Sequence, residues 1–229
     1  MNWLVSNLDL VWQLTLDHIA LSAPPILAGF LLSLPLGWLA NRRRVTRGTL
    51  LSIGGILYAI PSLPLFVLMP SLIGTKILDP INVVVALTIY ALALMMRTTA
   101  DALASVDQDV RQSSTAIGYS AWGRFWQVEL PLAGPVLLAG LRVVSVSTVS
   151  LVSVGAVVGV NSLGYLFLNG QDRDFPEEIF VGIVGSVIVA YAFDLVLVGI
   201  GRLLMPWTRP ARRERRRRSA AGAEAVSAS

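Results

Sequence analysis

The sequence predicts an all-α, multi-pass membrane protein with about five spanning helices. Two observations carry this. The 229-residue chain is 55% hydrophobic and only 14% charged, with a mean hydropathy of +0.69, whereas a soluble domain carries about 25% charged residues. The apolar residues also gather into five long runs, and a spanning helix needs about 20 such residues in succession. The charges fall between these runs and in the tail.

Residues 1–18 hold no Lys or Arg, so they lack the basic start of a secretory signal. They mix Asp9 and Asp17 with Trp3, Trp12 and several leucines. That composition suits an interfacial helix at headgroup depth, or a simple extension of the first span. The membrane domain then covers 19–205. Its first span, about 19–40, has no charged residue but contains Pro24, Pro25 and Pro35, which neighbouring helices can accommodate. A basic loop, Asn41 to Arg47, follows. The second span, about 50–73, contains Pro61, Pro64 and Pro70. The third, about 81–96, begins after Pro80 and ends before Arg97, whose long stem can reach the interface.

Residues 98–130 carry too much charge for a span and read as a polar loop with helical character; loops of this length are usually functional. The fourth span, about 132–159, contains Arg142. An acidic stretch over 171–178 separates it from the fifth, about 179–204, which contains Asp194. The tail, 206–229, holds Arg212, Arg213 and Arg215 to Arg218 and reads as disordered. Its arginines fix topology, with lipid contact as a by-product.

Five spans put the termini on opposite sides. With the N-terminus outside, sixteen of the eighteen basic residues lie in inner segments, and ten against two remain when the six tail arginines are set aside. The positive-inside rule therefore predicts N-outside and C-inside, with the 98–130 loop in the cytoplasm and the chain in the cell (plasma or inner) membrane. The same placement explains the net charge of +4 without nucleic acid as a partner. The chain has no cysteine and one histidine, His18, which leaves no basis for disulfides, thiolate sites or a multi-histidine metal site. No cofactor is expected.

Within the 98–130 loop, Asp107 suits a helix N-cap and Gly118 suits the left-handed residue that ends a helix. Ser120 suits the cap of a second short helix. On that helix Trp122, Phe125, Trp126 and Glu129 fall at helical spacing, and Pro131 is expected to part it from the fourth span. The segment Gln112-Ser113-Ser114-Thr115-Ala116-Ile117-Gly118, then nine residues, then Val128-Glu129-Leu130-Pro131, resembles the signature loop of permease subunits of binding-protein-dependent ABC importers. In that signature Glu-Ala-Ala, three residues and Gly precede nine residues, Ile, one residue and Leu-Pro. The spacing fits throughout. Gln112, Ser113 and Ser114 replace the Glu-Ala-Ala head; Gln keeps the length, and Ser stays small. The other reading of the loop is a segment whose aromatics rest on the bilayer.

The resemblance implies a five-helix fold like that of the methionine-importer permease. It also implies an ATPase-coupling role for Gln112, Ser113, Ser114, Ala116, Gly118, Tyr119, Trp122, Leu130 and Pro131. The partners implied are an ABC ATPase dimer, an extracytoplasmic substrate-binding protein, a second permease subunit (identical or related) and the lipid bilayer. The chain has no phosphate-binding G-x-x-x-x-G-K-[ST] loop, so the resemblance assigns ATP hydrolysis to another subunit and this chain is not an enzyme.

Ala59-Ile60-Pro61-Ser62-Leu63-Pro64-Leu65 is similar to the second-span segment of the osmoprotectant branch, whose members import glycine betaine, carnitine, choline or proline betaine. Val128 to Ala133 and Leu138 to Arg142 are similar to it too. Gly159-Val160-Asn161-Ser162-Leu163-Gly164 stands where that branch has Gly-Ala-Gly-Gly-Leu-Gly, a partial match. Permeases for methionine or another small solute remain the alternative.

Pro61, Ser62, Tyr90, Arg142 and Asp194 are candidate gate or pathway residues. Arg142 and Asp194 lie at similar distances from the cytoplasmic ends of their spans, so they are expected to pair. Tyr58, Tyr90 and Trp38 either line a path or pack and anchor the spans. An ion-coupled transporter or channel would want more ionisable residues inside spans. A membrane enzyme would want clustered catalytic groups.

Overall fold

The computed structural model describes residues 2–208. Expectations for the tail beyond 208 lie outside the described residues. Helices α1 (Asn2–Ser6), α2 (Leu8–Ala40), α3 (Arg44–Ala59), α4 (Ser62–Ile73) and α5 (Ile81–Ala104) come first. They are followed by α6 (Gln108–Ala116), α7 (Ala121–Arg124), a π turn (Phe125–Glu129) and α8 (Leu130–Val154). A 3-10 turn (Gly155–Val158), α9 (Gly164–Asp172), α10 (Pro176–Leu204) and a 3-10 turn (Pro206–Thr208) complete the chain. The described residues contain no strand. Four helical segments are long and apolar enough to cross a membrane, or five if α3 and α4 form one bent span.

The α2–α5 pair is the most extensive packing in the bundle, and small residues let the two helices come close. Gly29, Ser33 and Gly37 recur every fourth position along α2, forming one narrow stripe. A methyl group on Gly29 would stand 2.6 Å from Cβ of Ala91, and one on Gly37 would stand 2.8 Å from Cβ of Thr99. Between them Ser33 Oγ and Thr99 Oγ1 share a hydrogen bond of 2.9 Å. Spans in lipid gain little from hydrophobic association and rely on such close approach and interhelical hydrogen bonds.

Three apolar clusters surround this seam. One joins Leu34, Met95, Phe125 and Leu137. A second joins Phe66, Leu87, Tyr90 and Val152. The third joins Leu14, Val149, Leu166 and Val189. Residues 8–18 continue α2 without a break, and Leu14 and His18 are buried. Helix α5 likewise runs past Arg97 to Ala104, because a single long side chain can turn outward without interrupting backbone hydrogen bonds.

The second apolar run is broken. α3 and α4 meet at 101°, with Ile60 and Pro61 both extended (ψ 129° and 138°). The cause lies in two prolines. In a continuous helix the carbonyls of Leu57 and Ile60 would accept from residues 61 and 64, and both are proline without an N–H. Pro61 also turns Ile60 away from helical angles.

Pro131 does not part α7 from α8. The helix passes from Ala121 to Val158 through the π turn, where the Leu130 N–H donates to the Phe125 carbonyl. Pro131 follows that turn directly, and the wider winding there accommodates the ring and the one N–H that proline lacks.

Candidate functional site

The segment from Ser105 to Glu129 is built as two short helices around one glycine. Asp107 Oδ1 accepts from the Asp109 N–H at 2.8 Å and starts α6. At the other end the Gly118 N–H donates to the Thr115 carbonyl (3.0 Å) and the Tyr119 N–H to the Ser114 carbonyl (3.1 Å). This pair of bonds is a Schellman closure, and it requires the φ of +101° that Gly118 adopts. Ser120 Oγ then accepts from the Gly123 N–H at 3.1 Å and starts α7.

The two helices are held together by Arg124. Its Nε donates to Glu129 Oε1 at 2.7 Å and its Nη1 to Thr115 Oγ1 at 2.7 Å. Glu129 is 6% exposed, so the pair is largely shielded and geometrically fixed. Arg111 Nη2 donates to the Leu103 carbonyl, tying α6 back to α5.

The turn presents a mixed surface. Gln112, Ser113 and Ala116 are exposed. Ser114 is buried and its hydroxyl donates to the Val110 carbonyl at 2.7 Å. Ile117, Tyr119, Trp122 and Trp126 are exposed around Gly118, while Leu130 and Pro131 are half-buried. Phe125 anchors this surface at 1% exposure. Its ring meets Trp38 of α2 at 5.9 Å, and Trp38 meets Trp122 edge-on at 5.7 Å. The Arg42 guanidinium lies 4.0 Å over the Trp38 ring. Trp38 therefore joins the loop to the first span, a role its position in the sequence does not disclose.

A second junction ties the basic loop to the end of α5. Asn41 Nδ2 donates to the Ala100 carbonyl at 2.8 Å, Arg47 Nη1 to Asn41 Oδ1 at 2.7 Å, and Arg47 Nη2 to Asp101 Oδ1 at 2.5 Å. Not all of the positive charge of this loop is free for topology.

The remaining candidates form two further groups. At the α3–α4 break, Pro61 is exposed and Ser62 opens α4. The buried Tyr90 of α5 donates its hydroxyl to the Ile60 carbonyl, and Tyr58 meets it edge-on at 5.9 Å. On α8 and α10, Arg142 and Asp194 form a forked pair, Nε to Oδ1 at 2.5 Å and Nη2 to Oδ2 at 2.8 Å. Among the described residues no hydrogen bond links these groups to each other or to the Gly118 turn.

His18 belongs to neither set. It is fully buried in α2, its Nε2 sits 3.0 Å from the Val149 carbonyl of α8, and Ser22 Oγ donates to its carbonyl at 2.7 Å. A lone histidine in an apolar run gives no hint of such a partner 131 positions away. Among the described residues no group of three or more His, Asp or Glu side chains is placed to hold a metal ion.

Comparison with known proteins bears on most of the chain. The family described as "Binding-protein-dependent transport system inner membrane component" matches residues 29–210. The osmoprotectant import permease protein OsmW of Salmonella typhimurium is 30% identical over 208 residues, 90% of this chain and 96% of its own. The choline transport system permease protein OpuBB of Bacillus subtilis is 31% identical over 84% of this chain and 87% of its own. An inward-facing structure of the MetNI methionine ABC transporter superposes with a TM-score of 0.77 at 22% identity, covering 87% of this chain and 98% of that chain. That likeness is one of fold.

Proposed function

The chain belongs to the binding-protein-dependent transport system inner membrane component family, and from that premise we propose that it is the permease subunit of an ABC importer for osmoprotectants such as glycine betaine, carnitine, choline or proline betaine. Curated relatives named for osmoprotectant and choline import, aligned over most of both chains, support the substrate class. A methionine importer has only the fold in its favour.

The observation that carries the mechanism is the Schellman turn at Gly118. It sets α6 and α7 as a rigid pair, exposes Ile117, Tyr119 and Trp122, and is braced onto α2 and α5. Such a surface suits a groove on a soluble partner. In this reading the loop lies in the cytoplasm, the N-terminus lies outside, and Gln112, Ser113 and Ala116 join the exposed apolar residues against an ATPase dimer. A second permease subunit completes the pathway, and an extracytoplasmic binding protein delivers the solute. Closure of the ATPase dimer on ATP moves the loop, and the spans open outward. Pro61, Ser62 and Tyr90 form a corner of the pathway wall, and Arg142 and Asp194 lie at its inner half.

The test is uptake of labelled glycine betaine, carnitine, choline and methionine by cells carrying the intact system, against cells lacking this subunit. Loss of quaternary ammonium uptake on deletion is expected. Loss of methionine uptake alone would transfer the chain to the alternative substrate.

A further inference from the structure

Two helical faces meet at membrane depth. Along α8, Arg142, Val146, Ser150 and Ser153 share one face, turned away from Leu137, Leu141 and Val144 in the core. Along α10, Ile183, Val187, Ala190 and Asp194 share another at the same periodicity. A cavity of about 530 Å³ lies between these faces, bordered also by α9, within the ~300–1,000 Å³ range of small-molecule sites. Arg142 and Asp194 each stand one helical turn beyond a lining residue, Val146 and Ala190 respectively.

The wall is apolar apart from the hydroxyls of Ser150, Ser153 and Ser186. Several span hydroxyls bond back to their own helix, as those of Ser22 and Thr88 do, whereas Ser145 Oγ on the core side of α8 is buried without a partner. The three in the cleft wall have no hydrogen-bond partner among the described residues, and Ser186 Oγ is buried as well. The ion pair is also left incompletely covered, with the Arg142 side chain 44% exposed. Arg142 lies near the middle of the helix that runs from Ala121 to Val158. Charge at that depth faces protein or water rather than lipid.

We propose that this cleft is a transit site for a zwitterionic solute, with Arg142 taking the solute's carboxylate and Asp194 its ammonium group as their own pair opens. The inference rests on the osmoprotectant reading above and narrows it. A solute carboxylate has the same two-oxygen geometry that Asp194 presents to the Arg142 fork, so one replaces the other without rearranging donors. The quaternary ammonium cannot donate a hydrogen bond and needs only a nearby negative charge, which the released Asp194 supplies. Net charge in the site stays at zero throughout. A monocation without a carboxylate would leave Arg142 unpaired at membrane depth, which is costly. The free hydroxyls offer additional donors along the route.

The test compares labelled glycine betaine with choline in cells carrying the intact transporter. Arg142→Gln is expected to lower betaine uptake at least about tenfold and choline uptake less than about threefold. Arg142→Lys keeps the charge but not the fork. It is expected to raise the half-saturating betaine concentration about threefold with choline unchanged, and it serves if Arg142→Gln does not reach the membrane. Parallel changes for the two solutes in either variant, or full parallel recovery in the exchanged Arg142→Asp/Asp194→Arg chain, would make the pair a structural tie and overturn the proposal. An unaltered transporter that carries choline but no betaine would overturn it too. If it carries neither solute, the osmoprotectant reading fails first, and this inference falls with it.

Discussion

The hydroxyl of Tyr90 donates to the carbonyl of Ile60, a carbonyl that Pro64 has deprived of its helical donor. A proline four residues on creates the vacancy, and a side chain from α5 fills it. The prolines make the bend between α3 and α4, and a neighbouring helix holds it. Tyr90→Phe keeps the ring and its packing but strands the carbonyl. It should lower stability in detergent by about 1 kcal/mol, seen as a reduced midpoint of thermal unfolding. Tyr90→Ala should cost clearly more, since Tyr90 is buried in an apolar cluster. Equal midpoints for Tyr90→Phe and the unaltered protein would show that the bend needs no such pin.

The stripe of Gly29, Ser33 and Gly37 predicts a steep size dependence. Gly37→Val should push α2 from α5 and break the Ser33–Thr99 hydrogen bond. The cost is about 1–3 kcal/mol, read as lost yield of monodisperse protein or a lower unfolding midpoint. Gly48→Val, at a site with no atom within 4 Å of a new Cβ, is the control and should be close to neutral. A reversed order would refute close packing as the source of α2–α5 adhesion.

Gly118 separates backbone conformation from crowding, because nothing lies within 4 Å of a Cβ placed there. Within the chain, Gly118→Val acts through its positive φ, which β-branched residues resist by about 1–2 kcal/mol or more. Gly118→Asn should be tolerated better, since Asn visits the left-handed region. Solute uptake is expected to fall severalfold or more in the valine variant and less in the asparagine variant, with the chain still in the membrane. Full uptake with valine would remove the turn from the mechanism.

Orientation can be read chemically. The chain has no cysteine, so Ile117→Cys introduces a single thiol at a position 79% exposed. A membrane-impermeant maleimide should label it in inside-out vesicles and not in intact cells. Labelling from the outer side alone would invert the proposed topology.

The apolar runs and the spacing around Gly118 were legible because each signal is local. Length and composition mark a span, and a glycine between two capped segments marks a turn. What was not legible depends on partners distant in sequence. Pro61 and Pro64 sit in an apolar run long enough to be one span, and Tyr90, which holds their bend, lies thirty positions from Ile60. Pro131 looked like a boundary because the preceding π turn has no composition of its own. Trp38 reads as a span aromatic until Phe125 and Trp122 are seen against it. For Arg142 and Asp194 the depth argument suggested proximity, but not the cleft beside them, which requires knowing which faces of α8 and α10 turn together.

The uninterrupted helix from Ala121 to Val158 makes a single shaft about 57 Å long out of what might have been two jointed pieces. A twist applied beside Ser120 would travel along it toward Arg142 and the far rim at Val158. The π turn at Phe125–Glu129 and the 3-10 turn at Gly155–Val158 are the places where such a shaft can take up rotation by changing its backbone bonds. A machine so built would answer a small twist at its base with a swing at its mouth.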